Sequence, residues 1–176
     1  MKKIFLISLF GILFSQSGMA KTNVTIESVI KSSITNVTSI EAKQLVLTKA
    51  QYDKIKQTAK AAVRTKIYRY YTIMHDDNII GYGVLITRKV RTKKATVLYA
   101  FDNVGKLMFS EIMVFGEPPE YVPNKLWMKQ FDNVESSASL TMGKDIPTIS
   151  GATLSARAIS DGARIARAIF NIVLKK

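Results

Sequence analysis

The pattern of hydrophobic and polar positions divides the chain into stretches of different period. Met1-Lys2-Lys3 leads into a largely apolar run from Ile4 to Phe14, and small and polar residues from Ser15 to Ala20 follow it. A basic start, an apolar centre and small residues before a cut after Ala20 make the three-part pattern of a secretory signal peptide. The run is too short to cross a bilayer core, which takes about 20 residues. Residues 1–20 are therefore expected to be removed, leaving a chain that is exported, periplasmic or otherwise extracytoplasmic, and soluble. Residues 21–46, rich in Ser, Thr and Val, have only a weak period. They read as an N-terminal extension, with at most a short helix, ahead of a domain over 47–176.

Thr48-Lys49-Ala50-Gln51 has the spacing of a capping box, and Tyr52, Ile55, Ala59 and Ala62 or Val63 recur at helical spacing behind it. Together they predict a helix over about 49–65. From Ile67 the period becomes that of strands. Ile67–Met74, Ile79–Thr87, Ala95–Phe101 and Lys106–Phe115 are β-branched and aromatic, and the stretches between them supply turn residues. Four strands with short connections predict an antiparallel meander. Gly116-Glu117-Pro118-Pro119 ends it, since tandem prolines remove ladder donors. A short helix after Pro123 would put Trp127 and Phe131 on one face. Ile159, Ala163, Ala166, Phe170 and Val173 form the apolar stripe of a closing helix, with Arg157, Arg164 and Arg167 largely on another face. The fold class is α+β, an antiparallel β-meander sheet packed against flanking helices.

Composition removes much of the usual site chemistry. With no Cys there is no disulfide, thiolate nucleophile, Cys-ligated zinc or iron–sulfur cluster. The one His, His75, sits beside Asp76-Asp77-Asn78 in a predicted turn, where no calcium-loop spacing is present. No metal is assigned. The net charge of +13 invites a nucleic-acid reading. The cations are scattered, however, and no RNP-like aromatic pattern, zinc knuckle or basic helix accompanies them. The one cluster, Arg88-Lys89-Val90-Arg91-Thr92-Lys93-Lys94, reads as a solvated turn or as a docking patch for an acidic partner or a membrane surface.

Ser150-Gly151-Ala152-Thr153-Leu154-Ser155 lies just ahead of the closing helix. By itself it reads in two ways. It is an ordinary capped helix start, or it is an anion site in which free first-turn N–H groups and the Thr153 hydroxyl meet a ligand.

This block resembles the Ser/Thr-Gly-Ala-Thr-x-Ser/Thr pattern of the FMN-binding domain family. That domain is shared by the C subunit of sodium-pumping NADH:quinone reductase, the G subunit of Rnf complexes and small exported carriers. The flanking Gly143-Lys144-Asp145-Ile146 and Ala158-Ile159-Ser160-Asp161-Gly162 widen the match, which runs over roughly 68–173. Upstream, Gly81-Tyr82, the Asp102–Lys106 turn and Glu117…Trp127…Gln130-Phe131 fall in family order. The resemblance implies that Thr153 takes FMN through a phosphoester bond, installed by a separate flavin transferase that uses FAD and Mg2+. It implies a cofactor site of Thr153, Ser150, Gly151, Ala152, Leu154, Ser155, Lys144, Asp145, Tyr82, Glu117 and Trp127. Tyr82, Trp127 and Phe131 are then the aromatic candidates for a shelf under the flavin ring. One departure stands out. Many members carry an acid six positions before the acceptor; here that position is Pro147, and Asp145 is the nearest carboxylate.

No separate general base or nucleophile is visible, so the chain reads as an electron carrier working with an extracytoplasmic or membrane redox partner, the chemistry being the flavin's own. Two other readings stand beside it. One is an exported module that is cofactor-free or binds FMN without a covalent bond; the other is a subunit of an extracytoplasmic flavin reductase.

Overall fold

The computed structural model describes residues 25–175, so the signal-peptide reading of residues 1–20 lies outside the described residues. Five strands run in the order β1-β2-β3-β4-β5, every neighbouring pair antiparallel. They are β1 (Ser39–Val46), β2 (Ile67–His75), β3 (Asn78–Lys89), β4 (Lys94–Asp102) and β5 (Leu107–Phe115). Helix α1 (Ile26–Ser33) covers one face of the sheet. On the other lie α2 (Lys49–Ala59) and the long α4 (Thr153–Ile169), which continues as a wider π turn over Phe170–Leu174. A short α3 (Lys125–Met128) follows the meander. The expected α+β meander is thus present, one strand larger than the period predicted.

The extra strand lies in the segment read as an extension. β1 pairs with β2 along its whole length, from Ser39 opposite Met74 to Val46 opposite Ile67. Its alternation is weak for a physical reason. It is an edge strand with six of its eight residues exposed; Ile40 packs on the α1 side and Leu45 on the opposite side. A strand with one apolar contact on each face writes no period of two. Ahead of it, α1 is capped by Thr25, whose hydroxyl accepts from the Ser28 amide at 3.1 Å. Its Val29 and Ile30 bury against Tyr71, Ile73 and Leu98.

The capping box at Thr48 is formed in both directions. Gln51 N–H donates to the Thr48 hydroxyl at 3.2 Å, and the Thr48 amide donates to the Gln51 side chain at 2.9 Å. α2 nevertheless stops at Ala59, short of the expected 65, because Lys60 turns left-handed with φ 48°. Val63 is buried as its helical spacing implies, but on a returning loop, where its carbonyl accepts from the Tyr52 hydroxyl at 2.8 Å.

α4 is held to the sheet along a close seam. Tyr99 is buried and donates its hydroxyl to the Ile159 carbonyl at 2.7 Å; burial pushes its pKa far up, so it stays a donor. Gly162 makes that approach possible, since a Cβ there would stand 2.5 Å from the Tyr99 oxygen. Beside it Asp161 accepts from Arg88 of β3 at 3.0 Å and from Arg164 one turn on. Arg167 corrects the expected polar face. It is only 8% exposed and donates to the carbonyls of Ala138 and Val134, tying the long 132–152 loop to the helix. Its stem packs while its head satisfies backbone, as long cationic side chains allow.

Candidate functional site

The residues before α4 make a tight turn. The Ala152 amide donates to the Ile149 carbonyl at 3.1 Å, and Gly151 sits at φ 78°, a left-handed conformation that favours glycine. Thr153 is the first helical residue; it is exposed, and its hydroxyl donates to the Ile149 carbonyl at 3.1 Å, which fixes its rotamer. The N-cap is Ala152, and no side chain caps this end. The reading of Ser150–Ser155 as an ordinary capped start therefore fails. The first helical backbone bond to close is Ala156 N–H to Ala152 O at 3.1 Å, which leaves the Thr153, Leu154 and Ser155 amides without a helical acceptor. Those groups and the helix dipole favour negative charge next to the Thr153 hydroxyl.

A cavity of about 210 Å³ opens on this turn and is walled by residues Gly151 to Ser155. The opposite wall comes from elsewhere in the chain: Val90 and Arg91 of the β3–β4 turn, Glu117 just after β5, and Tyr121 in the short 3-10 turn Pro119–Tyr121. Glu117 builds that wall. One of its carboxylate oxygens accepts from three successive amides, Arg91 at 2.9 Å, Thr92 at 2.5 Å and Lys93 at 2.6 Å, and the other accepts from the Thr92 hydroxyl at 3.1 Å. The backbone donor at Lys93, followed by those at Arg91 and Thr92, holds its pKa down at about 2. The carboxylate is thereby engaged with the amides of the β3–β4 turn, and the one cation on the cavity wall is Arg91. Arg91 reaches across to lie over the Tyr121 ring at 5.9 Å, donating to its hydroxyl at 3.3 Å.

A family model for the FMN-binding domain matches residues 17–168. The chain belongs to the FMN-binding domain family. Among curated proteins, none matches it. The lining suits part of a flavin mononucleotide: open amides and a guanidinium are donors of the kind a phosphate takes, the Thr153 hydroxyl stands at the edge, and the Tyr121 and Leu154 side chains offer apolar wall.

The residues that the FMN-domain resemblance implies divide into three groups. Gly151, Ala152, Thr153, Leu154, Ser155 and Glu117 line one cavity, though Glu117 does so as the keystone of the opposite wall. Ser150 is exposed in the turn leading into it. Trp127 is buried and braces the approach loop. Its indole N–H donates to the Pro147 carbonyl at 2.9 Å, and its ring meets Phe131 edge-on at 5.4 Å. Pro147 thus supplies its backbone carbonyl to hold Trp127.

Lys144 and Asp145 belong to a turn of their own. The Asp145 carboxylate accepts from the Ser139 hydroxyl and from the Thr141 amide, and these bonds, the Ser139 one first, lower its pKa. Lys144 is exposed in the same turn. Neither lines the cavity. Tyr82 is far away. Its ring packs edge-on against Phe170 at 5.8 Å, and Phe170 lies beyond the far end of α4, roughly 25 Å along the axis from Thr153. Tyr82 is core at the opposite end of the sheet and provides no shelf for a flavin at Thr153.

Arg91 and Tyr121 are the site residues that sequence reasoning missed. Arg91 sat in a basic cluster that also contains Arg88, and the two have different surroundings. Arg88 donates to Ala62 O at 2.9 Å and pairs with Asp161, whereas Arg91 faces the cavity. Nothing local distinguishes them; Glu117, some two dozen residues on, does. Among the described residues, no group of three His, Cys, Asp or Glu side chains comes together to hold a metal ion.

Proposed function

We propose that this protein is an exported electron-transfer flavoprotein carrying FMN on the Thr153 hydroxyl through a phosphoester bond. The observation that supports it most is the meeting of an exposed, rotamer-fixed Thr153 with an uncapped helix start on the edge of a cavity. In the attachment step Thr153 Oγ1 would displace AMP from FAD. The P–O bond to the threonine forms, the pyrophosphate bond breaks, and the hydroxyl proton passes to the transferase. A separate Mg2+-dependent flavin transferase supplies that chemistry; this chain supplies the acceptor. Bound FMN provides one- and two-electron redox chemistry. The chain's own residues hold it: the Thr153–Ser155 amides meet the phosphate, and Tyr121 and Leu154 offer apolar surface beside it. A partner outside the cytoplasm, soluble or membrane-bound, gives and takes the electrons, and the remaining cations of the β3–β4 turn are available to dock it.

The test is in-gel flavin fluorescence after full denaturation, on full-length protein co-expressed with a flavin transferase. A fluorescent parent and a dark Thr153→Ala lane are expected. A dark parent beside a fluorescent control substrate would overturn covalent attachment and leave non-covalent FMN or a cofactor-free module, with Pro147 as the reason.

A further inference from the structure

We propose that Arg91 is the side chain that recognises the phosphate group of the flavin, an assignment that rests on the FMN reading of the cavity beside Thr153. Of the residues lining that cavity, Arg91 alone is cationic. No carboxylate among the described residues forms an ion pair with its guanidinium. Glu117 shares the cavity, but it accepts from the backbone N–H of Arg91, not from the side chain. The guanidinium therefore spends one N–H on the Tyr121 hydroxyl and keeps its other donors for an anion.

Its position is built in. Three successive amides of the turn converge on one Glu117 oxygen, so the backbone that carries Arg91 is held, and its guanidinium meets the Tyr121 ring and hydroxyl. A planar fork held in place matches the oxygens of a phosphate and loses little freedom on binding it. The other cations of the cluster do not line this cavity: Arg88 is tied to Asp161 and to Ala62 O, and Lys89, Lys93 and Lys94 are exposed outside it. One charge of a seven-residue basic segment is thereby singled out for the ligand.

FMN and riboflavin share one ring and differ only in the phosphate, so their ratio isolates phosphate recognition, and the Arg91 variants read the share of Arg91 in it. The unmodified full-length chain, produced without a flavin transferase, is titrated with each, and binding is read from flavin fluorescence. FMN is expected to bind at least about tenfold tighter than riboflavin, the size of one charge-assisted contact, with the helix-start amides adding to it. Arg91→Gln should lower the FMN-to-riboflavin ratio severalfold, leaving the share that the Thr153–Ser155 amides supply, and an unchanged thermal melt reports that the variant is folded. Arg91→Lys should lower the ratio less. The proposal is overturned if Arg91→Gln leaves the ratio unchanged, if the parent binds both flavins equally, or if the parent binds neither. Those results are separate from the in-gel test. A fluorescent Thr153 with an unchanged Arg91→Gln ratio removes only the role of Arg91. A dark Thr153 with a lowered ratio removes only the covalent bond.

Discussion

The two ends of α4 are built on opposite principles. At its start, Thr153 and Leu154 are exposed, the helix has no side-chain cap, and a cavity stands open against the β3–β4 turn. At its finish, Phe170 is fully buried, stacked on Phe101 at 5.4 Å and met edge-on by Tyr82. Between them lies the Tyr99–Gly162 seam with the Asp161 ion pairs. One end carries the packing that holds the helix on the sheet; the other is left with unsatisfied donors that a ligand can use. A helix anchored at one end presents its free end as a rigid site, which is what a small cofactor bound at a helix start requires.

Four substitutions break or sharpen that contrast, beginning with the largest effect. Phe170→Ala removes a fully buried aromatic ring and should cost about 3–5 kcal/mol of stability, read from the midpoint of denaturant unfolding. A loss below 1 kcal/mol would mean the closed end does not anchor the helix. Gly162→Ala should cost about 1–3 kcal/mol by overpacking against Tyr99. Combining it with Tyr99→Phe, which deletes the oxygen at 2.5 Å, should recover part of the loss; strict additivity would deny the seam.

Glu117→Gln tests the open end through pH. Glu117 has a folded pKa of about 2, below the ordinary 4.5, so its stabilising contribution is complete above about pH 4.5 and is lost as pH falls toward 2. Acid unfolding of the parent should steepen across that window, and the variant should lack that component. Parallel curves for the two would sink the assignment. The smallest effect is expected from Leu154→Ala. Leu154 is 46% exposed, and its truncation should change stability by no more than about 0.5 kcal/mol in a thermal melt.

Much of the architecture was legible in the local pattern. Four of the five strands, the capping box at Thr48 and the apolar stripe of α4 follow from periodicity and turn residues, because burial on one face imposes a period on the chain. β1 was not legible, since an edge strand touching the core once on each face leaves no alternation. The end of α2 was misplaced because Val63 keeps its burial after the chain has turned back. Arg167 was placed off the apolar face, and its charge says nothing of the two carbonyls it meets, in a loop some thirty residues earlier.

The site divides in the same way. Ser150–Ser155 was legible as a motif, because a positive-φ glycine and a threonine at a helix start are local necessities. Its resemblance to the FMN-binding domain family agrees with the family match. Tyr82 shows that order along the chain carries no distance, since β3 places it at the far end of the sheet from Thr153. What the amino-acid sequence determined by itself was four of the five strands, the start of α2, the stripe of α4 and the turn ahead of Thr153, all written in neighbours within a few residues of one another. What only the tertiary structure decided was which cation faces Thr153. Glu117 folds the β3–β4 turn through bonds to residues 24 to 26 positions away, and that long-range capture, invisible to any local period, brings Arg91 to the cavity.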